Sequence, residues 1–187
     1  SHLTTANTPR DIANYTADIV NNLFNIDIGM VGFVEGDQLK FVGGVSRRSF
    51  GNLPLDGPGI TVRTVKTGIP QLVHDTDKDQ DFVSGDLTKV LKVRSELCVP
   101  ILVDGEAIGV IDACKTEPHY FSENDQKILE LLANHVASAI DRLDRLRVLR
   151  TAEEKYGKVL ESSMEAISII SDGIIIYVNQ RFVDLLG

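Results

Sequence analysis

Residues 122–163 place the strongest constraint on what this chain can become. No proline interrupts the run, and Ser122 and Asp125 have the Ser-x-x-Asp spacing of a capping box at its start. Apolar residues follow at helical spacing, from Ile128 through Leu132, Val136, Ala139, Leu143, Leu146, Leu149 and Tyr156 to Val159. At about 1.5 Å per residue the predicted helix is about 60 Å long, more than one small domain needs to cover its own core. It must join a folded unit before it to something after it.

The apolar steps within this helix are uneven. From Leu132 through Val136, Ala139 and Leu143 to Leu146 they alternate four and three, as a coiled-coil seam requires. The next apolar residue is Leu149, whereas the heptad position falls on Arg150. Arg142, Arg145, Arg147 and Arg150 interleave there with Asp141 and Asp144, at spacings that pair along a helix without apolar burial. The slip marks either a boundary between two helical units or an element with two packings, and Gly157 is a second soft point.

A chain of 187 residues suffices for one domain and part of a second. Its net charge of −8 and pI near 4.9 argue against sequence-independent contact with nucleic acid or an anionic membrane, both of which need clustered Lys and Arg. No apolar run approaches the roughly 20 residues of a transmembrane helix, and no signal peptide is visible. The chain begins Ser-His-Leu without methionine, so a preceding region, a membrane anchor included, stays open. Cys98 and Cys114 sit in apolar runs without CxxC or metal-ligand spacing, which fits a reducing compartment; the expected location is cytoplasmic.

Upstream of the long helix the pattern alternates helix and strand. Thr8 caps a predicted helix from Pro9 to Phe24, and β-rich runs Ile26–Val34 and Gln38–Val45 flank Glu35-Gly36-Asp37. Residues 46–57 read as turn, Pro58–Thr67 as a helix closed by Gly68, and Gln71–His74 as a short strand. Residues 75–94 read as a charged surface loop with one helical turn around Leu87–Leu91. The strongest strands, Ser95–Val103 and Glu106–Lys115, are joined by Asp104-Gly105, a dipeptide suited to a type I′ turn. Alternation puts Leu97, Val99, Ile101 and Val103 on one face and Cys98, Pro100 and Leu102 on the other, so both faces must be covered.

Two resemblances follow. The stretch from Thr67 to Val73 with Asp75, Asp79 and Phe82, then Ser95 to Ile101, Gly105, Ile108 to Ile111, Phe121 to Asp125 and Leu129 to Ile140, resembles a GAF domain over roughly residues 9–143. That implies an α+β fold, a central antiparallel sheet with the first and last helices on one side and a ligand pocket on the other. Glu154 to Gly187, including Leu160 to Ile167, Ile175 to Asn179 and Phe182 to Gly187, resembles the opening of a PAS domain, with two strands around Asp172-Gly173 and a helix from Gln180. The expected division is a sensor domain over 1–143, a helical linker over 144–160 and a partial PAS-like segment over 161–187. Lacking most of its sheet, that segment is expected to be poorly ordered or packed on a neighbouring chain.

Asp112 is a carboxylate on an otherwise apolar strand, which must find partners or meet water. Arg94, Ser95 and Glu96 precede the same sheet edge, and Arg47 and Arg48 follow the second strand. Arg47, Arg94, Ser95, Glu96, Cys98 and Asp112 are the candidate ligand-binding residues; the alternative is an Arg–carboxylate pair that ties loop to sheet. No metal ligands are assigned. The carboxylates from Asp75 to Asp86 resemble calcium-loop spacing, but Gln80 stands where glycine is needed and Asp86 where a glutamate is needed. His135 lacks the His-Glu/Asp-x-x-x-Pro context of a kinase phosphoacceptor, and no ATP-binding glycine motif occurs.

The resemblances imply a non-enzymatic, small-molecule-sensing module of a signal-transduction protein, such as a two-component sensor histidine kinase whose output domain would lie beyond residue 187. The ligand, an unidentified small molecule, would bias the packing of a parallel homodimer through the 122–163 helix. No cofactor is singled out among those that GAF domains bind, and no cysteine in 46–57 suggests a covalent chromophore. Two alternatives are a GAF fold that binds nothing and only dimerises and spaces its neighbours, and a thiol-dependent reductase of free methionine sulfoxide using Cys98 and Cys114.

Overall fold

The computed structural model describes residues 8–44, 51–83 and 90–186. The chain divides into two compact units, Ser1–Leu143 and Asp144–Gly187. In the first, helix α1 (Pro9–Phe24) starts where the sequence places it, with Thr8 Oγ1 accepting the Asp11 amide at 3.1 Å and Pro9 in the first turn. Strands β1 (Ile28–Glu35) and β2 (Gln38–Gly44) form the first hairpin, and β5 (Ser95–Val103) and β6 (Glu106–Lys115) the last. The turn between β5 and β6 has Asp104 at φ 51° and Gly105 at φ 84°, the two positive values a type I′ turn needs. Between these hairpins lie β3 (Leu53–Pro54), α2 (Ile60–Thr67), β4 (Gln71–Val73) and a 3₁₀ turn at Thr76–Lys78. Strand β3 falls where the sequence predicts only turn; two residues paired to the edge of β2 carry no periodicity to detect. The predicted turn around Leu87–Leu91 lies largely outside the described residues, as do Arg47 and Arg48.

The strands form one antiparallel sheet in the order β3-β2-β1-β6-β5-β4. Against one face α1 and the long helix α3 (Glu123–Glu161) build the main core, with Val31, Leu97, Val99, Ile101, Ile111 and Ala113 from the sheet meeting Ile12, Val20, Leu129, Val136 and Ile140. On the opposite face Leu39, Cys98 and Val110 pack with Ile60 of α2, and Ile28, Met30 and Cys114 with Val93. The alternation expected for β5 therefore holds, with a bulge between Ile101 and Leu102.

Helix α3 begins at the expected box: Ser122 N donates to Asp125 Oδ2 at 2.8 Å and Asp125 N to Ser122 Oγ at 3.3 Å. Its core-facing stripe is Leu129, Ala133, Val136, Ala137 and Ile140. Leu132, Ala139 and Leu143 of the predicted seam lie half-buried at the edge of that core, and Ile128 is exposed. The helix carries two adjacent apolar stripes, and the sheet takes the one richer in small residues. His135 is exposed. No helix among the described residues is long and apolar enough to cross a membrane.

In the second unit, β7 (Ser168–Ser171) and β8 (Ile174–Val178) form a hairpin and α4 spans Gln180–Leu186. The segment expected to be poorly ordered or packed on a neighbouring chain takes up these regular elements. Asn179 anchors it: its Oδ1 accepts from Ile167 N at 2.8 Å and Phe182 N at 3.0 Å, and its Nδ2 donates to the Leu160 and Glu165 carbonyls at 3.1 and 2.9 Å. Ile170, Ile174 and Ile176 are exposed, so this hairpin's apolar surface is uncovered in the single chain.

Candidate functional site

Antiparallel pairing assembles a polar cluster that lies on the sheet face opposite α1 and α3. On β6, Asp112 and Cys114 are two apart and share a face. Across from them on β5 stand Cys98, paired with Asp112, and Glu96, paired with Cys114; on β1 stand Met30 and Ile28 in the same two rows. The four polar side chains are at most 5 % exposed, enclosed by α2 and by Phe41 and Phe82. Cys114 Sγ lies 3.4 Å from Asp112 Oδ2, and Asp112 Oδ1 has no hydrogen-bond partner among the described residues.

Burial sets the electrostatics of this cluster. Desolvation, with the Asp112 charge beside it, pushes the Glu96 carboxyl well above its ordinary range. Desolvation likewise raises Asp112, to about 6. Both thiols are pushed up by burial first and by the Asp112 and Glu96 charges next, so neither is an activated nucleophile in this enclosure.

The other predicted residues go elsewhere. Arg94 turns to the loop, where its guanidinium meets Asp75 Oδ1 at 3.0 Å and Asp77 Oδ2 at 3.3 Å. It holds the Asp75 carboxyl below the usual range. This is the loop-to-sheet tie that was the alternative reading of the arginine. Ser95 Oγ donates to the Glu117 carbonyl at 2.7 Å and pins the end of the hairpin. Of the six predicted residues, Glu96, Cys98 and Asp112 come together, Arg94 and Ser95 do not join them, and Arg47 lies outside the described residues.

A second site was not anticipated. Arg63 of α2 grips Asp79 with two bonds, at 3.1 and 2.7 Å, and reaches Asp81 Oδ2 at 2.6 Å and Gln71 Oε1 at 2.9 Å. Its hydrogen bonds hold Asp79 below the carboxylate range. Arg63, Gln71 and Asp79 border an open cleft of about 340 Å³ that also takes in His74 and His119. The two imidazoles stack at 5.2 Å, and the His119 amide donates to the His74 carbonyl at 2.7 Å. His119 has the φ of 57° of a turn residue, and nothing local announces a partner 45 residues back. Arg63 is equally silent in sequence, a single arginine on a short helix whose partners come from a distant loop.

The model of the GAF domain matches residues 6–141, and that of the PAS domain matches residues 154–187. No curated protein matches the chain. Among solved structures, the free methionine-R-sulfoxide reductase from Neisseria meningitidis in complex with its substrate is 23% identical, with 77% of this chain and 84% of that one covered and a TM-score of 0.68. The GAF domain of a phosphoenolpyruvate-protein phosphotransferase from Coxiella burnetii is 14% identical over 78% and 90%, with a TM-score of 0.69. Residues 122 to 287 of a methyl-accepting chemotaxis protein are 22% identical over 77% and 95%, with a TM-score of 0.65. At these identities the structures share the fold, while the family match covers most of the chain: the protein belongs to the GAF domain family, a family of sensory and regulatory domains.

Proposed function

We propose that this chain is the small-molecule-sensing part of a signal-transduction protein, in a sensor histidine kinase context, which passes ligand state along α3 to the PAS-matching segment. The observation that carries the reading is the cluster of Glu96, Cys98, Asp112 and Cys114, a concentration of polar groups on the sheet face that a purely structural core would fill with apolar side chains. A ligand there acts on β5 and β6, whose opposite faces carry Leu97, Val99, Ile111 and Ala113 against α1 and α3. Different packings of those layers supply the differential affinity that coupling requires.

The enclosure of the cluster favours a second reading, in which the domain binds nothing and acts as a dimerising relay. A reductase is the third; two of the similar solved structures are free methionine-R-sulfoxide reductases, but buried thiols with raised pKa values are poorly suited to attack. Native mass spectrometry of the purified chain discriminates among them. The sensor reading expects a retained non-protein mass, and its removal should change amide-exchange protection along residues 129–143 of α3. A chain of bare polypeptide mass, with exchange indifferent to metabolite extract, counts against the sensor and for the relay. Methionine sulfoxide turnover that disappears in Cys98→Ser would establish the third.

A further inference from the structure

The polar cluster holds a donor set that an apolar-ligand or relay site has no use for. Glu96, Asp112 and Cys114 each offer one ligand atom, all within 4.8 Å of one another, and all three residues are buried. Asp112 is 1 % exposed, yet among the described residues its Oδ1 finds no hydrogen-bond donor. A buried carboxylate oxygen without a partner costs folding free energy unless something else satisfies it. A proton on Glu96 makes its carboxyl a donor to Asp112 and removes one of the two charges; this is the state a cation must displace to reach the orphaned oxygen. A cation satisfies it and offsets both charges at once.

The donor types narrow the cation. A thiolate beside two carboxylates disfavours calcium and magnesium, which take oxygen ligands alone, and suits a borderline divalent ion such as zinc. A tetrahedral set with metal–oxygen bonds of about 2.0 Å and a metal–sulfur bond of about 2.3 Å has edges of about 3.3–3.5 Å, so separations of at most 4.8 Å need shorten by no more than about 1.5 Å, shared between two side chains. The carriers are rigid: Asp112 and Cys114 share one face of β6, and Glu96 is registered opposite Cys114 on β5. Three protein ligands leave the fourth tetrahedral position open, the arrangement of sites that exchange a ligand rather than purely structural ones.

We propose that Glu96, Asp112 and Cys114 bind one divalent transition cation of the zinc class, with the fourth coordination position available to a small anionic or neutral donor. As the metal–ligand bonds form, the Cys114 S–H bond and the Glu96 O–H bond break and both protons leave to solvent; no electron is transferred. Metal binding itself stands apart from the sensor reading, and only the role of the fourth position rests on it.

The test uses the whole chain, stripped with a chelator, and cobalt(II) as a spectroscopic probe followed by competition with zinc. One equivalent of cobalt should produce a thiolate-to-metal charge-transfer band and d–d absorption of tetrahedral intensity, both bleached by zinc. Cys114→Ser should abolish the charge-transfer band while Cys98→Ser keeps it. The isosteric Asp112→Asn should weaken zinc by more than the roughly 10–100-fold typical of losing an outer-sphere partner. Circular dichroism of each variant separates lost binding from lost folding. Absence of a stoichiometric band in the wild-type chain overturns the metal site, as does a band that survives Cys114→Ser. An organic mass retained in the native spectrum of a chain that binds no cobalt would overturn the metal site and leave the sensor reading standing, whereas cobalt binding by a chain of otherwise bare polypeptide mass would support the metal and count against the sensor.

Discussion

Arg63 and Asp79 show how one pair of residues ties a helix to a loop in the first unit. Their two parallel bonds have the fork geometry that makes arginine–carboxylate contacts strong, and the pair is largely shielded, with side chains 28 % and 15 % exposed. Arginine holds the Asp79 pKa below its ordinary value of about 4, so the unfolded chain takes up the proton first as pH falls. The stabilisation is therefore complete above that ordinary value and is lost as pH drops through the lower folded value. Asp79→Asn should cost about 1–3 kcal/mol at pH 7, and its deficit should shrink towards zero as pH is lowered from about 4. Urea midpoints of both proteins across pH 2–8 check the sign: a constant deficit would mean the charge is irrelevant.

At the scale of elements, the close approach of β1 and β6 depends on Gly109. A Cβ there would meet the Gly32 carbonyl oxygen at 2.3 Å and the Phe33 ring at 2.9 Å, and the oxygen belongs to backbone that cannot swing away. Gly109→Ala should destabilise the first unit by about 1–3 kcal/mol, the usual cost of overpacking, seen as a lower thermal midpoint. An unchanged midpoint would mean that β1 and β6 separate more readily than their register implies. Helix α3 is the other element with consequences beyond its own turns. Beyond Leu143 it leaves the core of the first unit, and Leu146, Val148, Leu149, Tyr156 and Val159 are all more than half exposed. Arg150 pairs with Glu154 at 3.2 Å along the helix, an i,i+4 contact worth only tenths of a kcal/mol. Charge thus props this section without specifying which apolar residues face a partner, which is the condition for two alternative registers.

For the whole molecule, those uncovered side chains lead to a prediction about assembly: the chain should sediment as a dimer, and Leu146→Glu with Leu149→Glu should shift it to monomer while leaving the circular dichroism of the first unit intact. A monomer at high protein concentration would contradict it. The extent of what sequence conveys follows from range. Helix α1 with its cap, the hairpin turn at Asp104-Gly105 and the start of α3 were legible because each depends on neighbours a few residues apart. Both faces of β5 were legible too, since a strand's alternation is local. Three of the four residues of the candidate site were legible for the same reason: a carboxylate in the apolar strand of Asp112, and Glu96 and Cys98 in the strand before it, are anomalies visible in sequence. What joined them to Cys114, turned Arg94 away to Asp75 and delivered Arg63 to Asp79 was strand register and helix docking. Those are settled by burying one whole face of the sheet under α1 and α3 and the other under α2, a free-energy balance summed over the core that no short stretch of the chain contains.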